Sequence, residues 1–74
     1  MTQHYNDMNK FSDDYIRKFE NVTDKFLLTE EIDAAYARAN SIEKNRDMRN
    51  KNNLTRKKMW IKIAQGIQEI RGNI

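Results

Sequence analysis

Seventy-four residues with no cysteine or proline allow one small domain, and they exclude a disulfide scaffold, a thiolate metal site and a turn-rich β fold. Charged residues reach 34% and hydrophobic residues 38%, between an ordinary globule and a disordered chain, so we expect a thin core reinforced by self-association or a partner. The net charge of +3 hides a division: residues 1–43 hold nine acids and five bases (−4), residues 44–74 nine bases and two acids (+7).

The opening stretch, MTQHYNDMNKF, lacks the basic start and apolar run of an export signal. No stretch approaches the ~20 apolar residues that cross a bilayer. The expectation is a cytoplasmic protein without membrane contact, in which the tripeptides Asn21-Val22-Thr23 and Asn53-Leu54-Thr55 match the glycosylation pattern by chance. Residues 1–11 read as a flexible N-terminal segment, and residues 12–74 as a single helical domain.

A first helix is predicted over about 13–26. Ser12 is the expected N-cap, with Asp13 and Asp14 at the positive end of the helix dipole. Phe11 and Ile16 have the spacing of a hydrophobic staple, and Phe11, Tyr15, Phe19, Val22 and Phe26 line one face.

The second helix is predicted over about 30–48, with Thr29 as cap and Glu30, Glu31 and Asp33 in the first turn. Its stripe is Leu28, Ile32, Ala35, Ala39 and Ile42, with Tyr36 beside it. The small residues on that stripe would let another helix approach closely.

Residues 44–58 form a basic connector, and two arrangements are open. Asn50, Asn52 and Asn53 can break the chain, which puts Arg56, Lys57 and Lys58 at the start of a new helix, where an anion would dock on free N–H groups. Alternatively the helix runs through, because steps of four and three from Ile42 give Arg46, Arg49, Asn53, Arg56 and Trp60 on one face. Such a helix resembles, in physical logic alone, a basic region emerging from a pairing domain. The density of asparagine favours the break.

The last helix is predicted over about 55–71, with Trp60, Ile63, Ile67, Ile70 and Ile74 as its apolar seam and Gly72 and Asn73 as its stop. A seam this short reads as the core of a small bundle. Trp60, at its head, reads as core before it reads as a platform for a base. Gly66 inside the helix would be justified by a close helix contact.

The fold expected is therefore all-α: two or three amphipathic helices in a small bundle or hairpin, with a long combined second and third helix as the variant. Catalysis is not expected. His4 is the single histidine, and Glu30, Glu31 and Asp33 lack the loop and glycine of a calcium site. No metal or cofactor is implied. The abundance of asparagine and lysine resembles short accessory proteins of AT-rich genomes, bacteriophages among them.

Function is expected to be stoichiometric binding. Lys44, Arg46, Arg49, Lys51, Arg56, Lys57, Lys58 and Lys62 are candidates for contact with nucleic acid, with nucleic-acid-processing machinery or with an acidic protein surface. The same run also reads as a solvated loop with no partner. The rival is a protein–protein module, an inhibitor, adaptor or assembly factor, that uses Phe19, Phe26, Trp60, Ile63, Ile67 and Ile70 against an obligate partner or in a homo-oligomer.

Overall fold

The structure is a computed structural model that describes the backbone of residues 3–45 and 49–74 and the side chains of 9–44 and 49–74. It is all-α: α1 (Gln3–Arg17), α2 (Lys25–Asn45) and α3 (Lys51–Gly72) pack as a small bundle, with no strand among the described residues. Arg46 lies outside the described residues.

Every helix begins before its predicted start. In α1, Ser12 is not a cap; it is 1% exposed inside the helix, and its Oγ donates to the Asn9 carbonyl at 2.9 Å. The C-terminal end also comes earlier. The Lys18 N–H reaches the carbonyls of both Asp14 and Tyr15, and Phe19 and Glu20 then bond three residues back, to Ile16 and Arg17. This tightening closes the helix ahead of Asn21, Thr23 and Asp24, which are poor helix formers. Phe26 consequently belongs to α2, not to the α1 stripe, and it is 73% exposed.

Asp24, not Thr29, caps α2. Its Oδ1 accepts from the Phe26 and Leu27 N–H groups at 3.0 and 3.3 Å, and its carbonyl accepts from Leu28 at 3.1 Å. The extra turn brings Leu28 into the core, where it is fully buried. Thr29 turns its hydroxyl back to the Lys25 carbonyl at 2.9 Å.

Asn50 caps α3 from an extended backbone (φ −76°, ψ 121°), with its Oδ1 2.8 Å from the Asn52 N–H. The chain therefore breaks between α2 and α3, as the asparagines imply, but Asn52 and Asn53 lie in the first helical turn. Thr55, like Thr29, bonds one turn back, to the Lys51 carbonyl at 2.8 Å. The through-running helix does not form.

Contacts between side chains give the directions. Lys57 meets Glu43 and Arg71 meets Thr29, so α2 and α3 are antiparallel. Phe11 meets Trp60, Asp13 meets Lys62 and Ile16 meets Gly66, so α1 runs parallel to α3. The path is up, down, up, with α3 central. Among the described residues, the close backbone approaches are between α2 and α3 and between α1 and α3.

The core follows from the stripes. Leu28, Ile32, Ala35 and Ala39 of α2 are buried, as are Ile63, Ala64 and Ile67 of α3. Tyr15, Ile16, Phe19, Val22, Met59, Trp60 and Ile70 pack around that cluster. Gly66 lets Ile16 insert: a Cβ there would lie 2.5 Å from Ile16 Cδ1 and 2.9 Å from Cγ1. The bundle is flattened, with extents of 38 × 26 × 13 Å. Its 5553 Å² of accessible surface exceeds the roughly 4,800 Å² that a compact monomer of this mass exposes. The core is thin.

Candidate functional site

The antiparallel hairpin brings the end of α2 and the start of α3 to one pole of the molecule, and the basic connector with them. Seven of the eight candidate cations, all but Arg46, lie among the described residues, and they differ in what they meet. Lys57 Nζ is 2.7 Å from Glu43 Oε1 and links α3 to α2. Lys62 Nζ is 3.1 Å from Asp13 Oδ1 and links α3 to α1. Both are spent on the chain's own acids, where they work as ties between helices.

Lys44, Lys51, Arg56 and Lys58 are exposed, and no carboxylate among the described residues pairs with them. Arg49 is exposed on the turn before α3 and is engaged within the chain. Arg56 and Lys58 stand in the second turn of α3, not the first, because Asn50 moves the helix start forward. The Asn50 side chain already holds the Asn52 N–H, so the anion seat expected of bare N–H groups beside Arg56, Lys57 and Lys58 is not built.

Lys51, Thr55, Lys58 and Lys62 follow one another in steps of four, three and four, which places them on one face of α3 beside α1. At the upper end of this seam Asp13 neutralises Lys62. Below it a cleft of about 570 Å³ opens, lined by Asn9 and Ser12 of α1 and by Lys51, Asn52, Leu54, Thr55, Lys58 and Met59 of α3. The hydroxyls of Ser12 and Thr55 both donate to carbonyls of their own helices. The donors left to face the cleft are the two ammonium groups and the amides of Asn9 and Asn52.

Trp60 is half-buried at the rim of the core. Phe11 and Tyr15 meet it edge-on at centroid distances of 6.1 and 5.6 Å, and the Arg38 guanidinium lies 4.7 Å over its ring. Tyr15 ties the three helices together: its hydroxyl donates to Glu31 Oε1 at 3.2 Å and accepts from Arg38 Nη1 at 3.4 Å. With Arg38 over one face and Phe11 and Tyr15 of α1 packed against it, the half-buried indole is enclosed by the chain's own side chains.

The residues singled out for a partner interface divide in the same way. Ile63 and Ile67 are fully buried between the helices and present nothing to a partner. Phe19, Trp60 and Ile70 are half-buried against the core. Phe26 alone stands clear, and with Leu27 and Ile74 it gives the pole opposite the cations an exposed apolar character. Asn9 and Ser12 were not foreseen as site residues. A neutral asparagine on a segment read as flexible carries no local signal, and its contribution appears once α1 is seen to extend back to Gln3.

Among the described residues no three histidine, cysteine, aspartate or glutamate side chains converge on a metal-sized position. The side chain of His4 lies outside them. No described helix is long and apolar enough to cross a membrane. No protein-family model matches the chain, and no curated protein or solved structure shows significant similarity to it.

Proposed function

We propose that the protein is a non-enzymatic binder of nucleic acid that engages phosphates through Lys44, Lys51, Arg56 and Lys58. The observation that carries this reading is the partition of the cations. The bundle uses Lys57 and Lys62 for its own ion pairs and leaves four others, near the end of α2 and in the first two turns of α3, without a carboxylate among the described residues. Self-repulsion among unneutralised charges opposes folding. A polyanion relieves it and releases its own counterions on binding. Affinity of this kind carries no sequence preference, since phosphate contacts position a protein without reading bases.

The reading is tested by the salt dependence of oligonucleotide binding. Affinity should fall steeply with salt, and Arg56→Ala with Lys58→Ala should lower the slope of log K against log salt by about 1.4–1.8, at roughly 0.7–0.9 per phosphate contact. Lys57→Ala and Lys62→Ala should instead lower stability and leave the slope nearly unchanged. A flat salt response, or equal slope losses from both pairs, would overturn the assignment.

A second reading has one observation in its favour. Phe26, at 73% exposure, points away from the core at the opposite pole, as an anchor for a protein partner would. It makes the protein an adaptor, with the cations steering the encounter. On that reading Phe26→Ala removes binding to the partner, whereas the nucleic-acid reading leaves oligonucleotide affinity unchanged by it.

A further inference from the structure

We infer that the cleft between α1 and α3 seats a segment of single-stranded nucleic acid, with its phosphates against Lys51 and Lys58. The inference rests on the nucleic-acid reading above and adds to it the form of the ligand and its place.

Three features of the cleft combine. The first is an interrupted pattern of charge. Along the α1–α3 seam Lys62 has Asp13 opposite it, whereas one turn lower Lys58 lines the cleft together with the neutral Asn9 and Ser12, and Lys51 follows two turns further down the same face of α3, with no carboxylate among the described residues beside either. An anion from outside completes the series. The second is the inventory of donors. The Ser12 and Thr55 hydroxyls are committed to backbone carbonyls, so the cleft offers ammonium and amide groups to an acceptor-rich, negatively charged ligand. The third is the floor. Leu54 and Met59 line it, so the same space offers apolar contact to a sugar or a base edge.

Shape decides between single strand and duplex. A major groove about 12 Å wide admits one helix. The lysine face of α3 is flanked by α1, so it cannot enter a groove alone. A flexible single strand can follow a concave, positively charged seam. The cleft, at about 570 Å³, holds a nucleotide-sized unit and does not approach the dimensions of a duplex. Lys51 and Lys58 are separated by about 10 Å along the helix axis, a span that their flexible stems bridge onto neighbouring phosphates. DNA and RNA should serve alike, because the ammonium groups address the phosphate that both share.

The test is fluorescence anisotropy with a labelled single strand of ~10 nucleotides, as DNA and as RNA, and with the matching duplex. Four proteins are compared: wild type, Asn9→Glu, Lys51→Ala with Lys58→Ala, and Lys44→Ala with Arg56→Ala. Circular dichroism reports the fold of each. Asn9→Glu places a carboxylate opposite the two lysines and so occupies the anion's position from within. We expect the wild type to bind single strand about tenfold or more tightly than duplex. Asn9→Glu and the Lys51/Lys58 variant should each lose about tenfold of that affinity at unchanged helicity, and the Lys44/Arg56 variant should weaken single strand and duplex equally. If Asn9→Glu loses helicity, the Lys51/Lys58 variant decides. Equal binding of single strand and duplex, with cleft variants no worse than the Lys44/Arg56 variant, would overturn the cleft and leave the nucleic-acid reading standing. Absence of salt-sensitive binding to either form would overturn both.

Discussion

Gly66 shows how a single position sets the distance between two helices. Its missing Cβ is the space that Ile16 of α1 fills, with three side-chain atoms inside ordinary contact distance of where a Cβ would sit. Glycine costs about 1 kcal/mol of helix propensity relative to alanine, whereas overpacking a fitted contact costs roughly 1–3 kcal/mol. Gly66→Ala should therefore destabilise the protein by up to about 2 kcal/mol, because the packing cost exceeds the propensity gain. In an Ile16→Ala background the same change should stabilise, by up to about 1 kcal/mol. Urea denaturation of the four proteins in a double-mutant cycle measures this, and an identical effect in both backgrounds would show that the two residues do not meet. The sequence raised the question of Gly66 without naming its partner. Its spacing pairs Ile16 with Phe11 as a staple, and only the parallel course of α1 and α3 brings it to the glycine.

At the scale of the elements, the stripes were legible and the ends were not. Leu28, Ile32, Ala35 and Ala39, with Ile63 and Ile67, form the core as their spacing implies. The ends failed for one recurring reason. Ser12, Thr29 and Thr55 each offered a plausible start, and each lies inside a helix with its hydroxyl turned back on a carbonyl of the preceding turn. The described caps of α2 and α3 are Asp24 and Asn50, stronger acceptors placed about one turn earlier. Extending α1 to Gln3 also converts part of a segment read as flexible into one wall of the cleft. That wall is held less firmly than the hairpin, because α1 packs along α3 while α2 and α3 share the buried core. Amide hydrogens of α1 should consequently exchange through a lower-energy opening than those around Ile63–Ile67 and Leu28–Ala35. Equal protection across the three helices would show instead that they open as one unit.

For the whole molecule, the charge division read from the sequence becomes a spatial one. The connector's described cations gather where α2 ends and α3 begins, while Glu20, Asp24, Glu30, Glu31 and Asp33 lie toward the α1–α2 end. Which cations remain unneutralised could not be read locally. Lys57 and Lys58 are neighbours of the same type, and their fates differ because Glu43, on another helix, reaches one and not the other. Asp13 and Lys62 pair for the same reason, through the packing of α1 on α3. These two ties join helices around a thin, flattened core, and on the proposed reading the remaining charge is what a polyanion would meet.

The most direct test follows backbone amide chemical shifts by NMR while a single-stranded oligonucleotide is added at low salt. We expect the shifts to concentrate at Asn9, Lys44, Lys51, Thr55, Arg56 and Lys58 and to fade as salt is raised, with residues 18–27 and the Ile74 end unmoved. Shifts centred on Phe26 and Leu27, or none at any salt, would contradict a docking pole built from the cations that the bundle leaves unpaired.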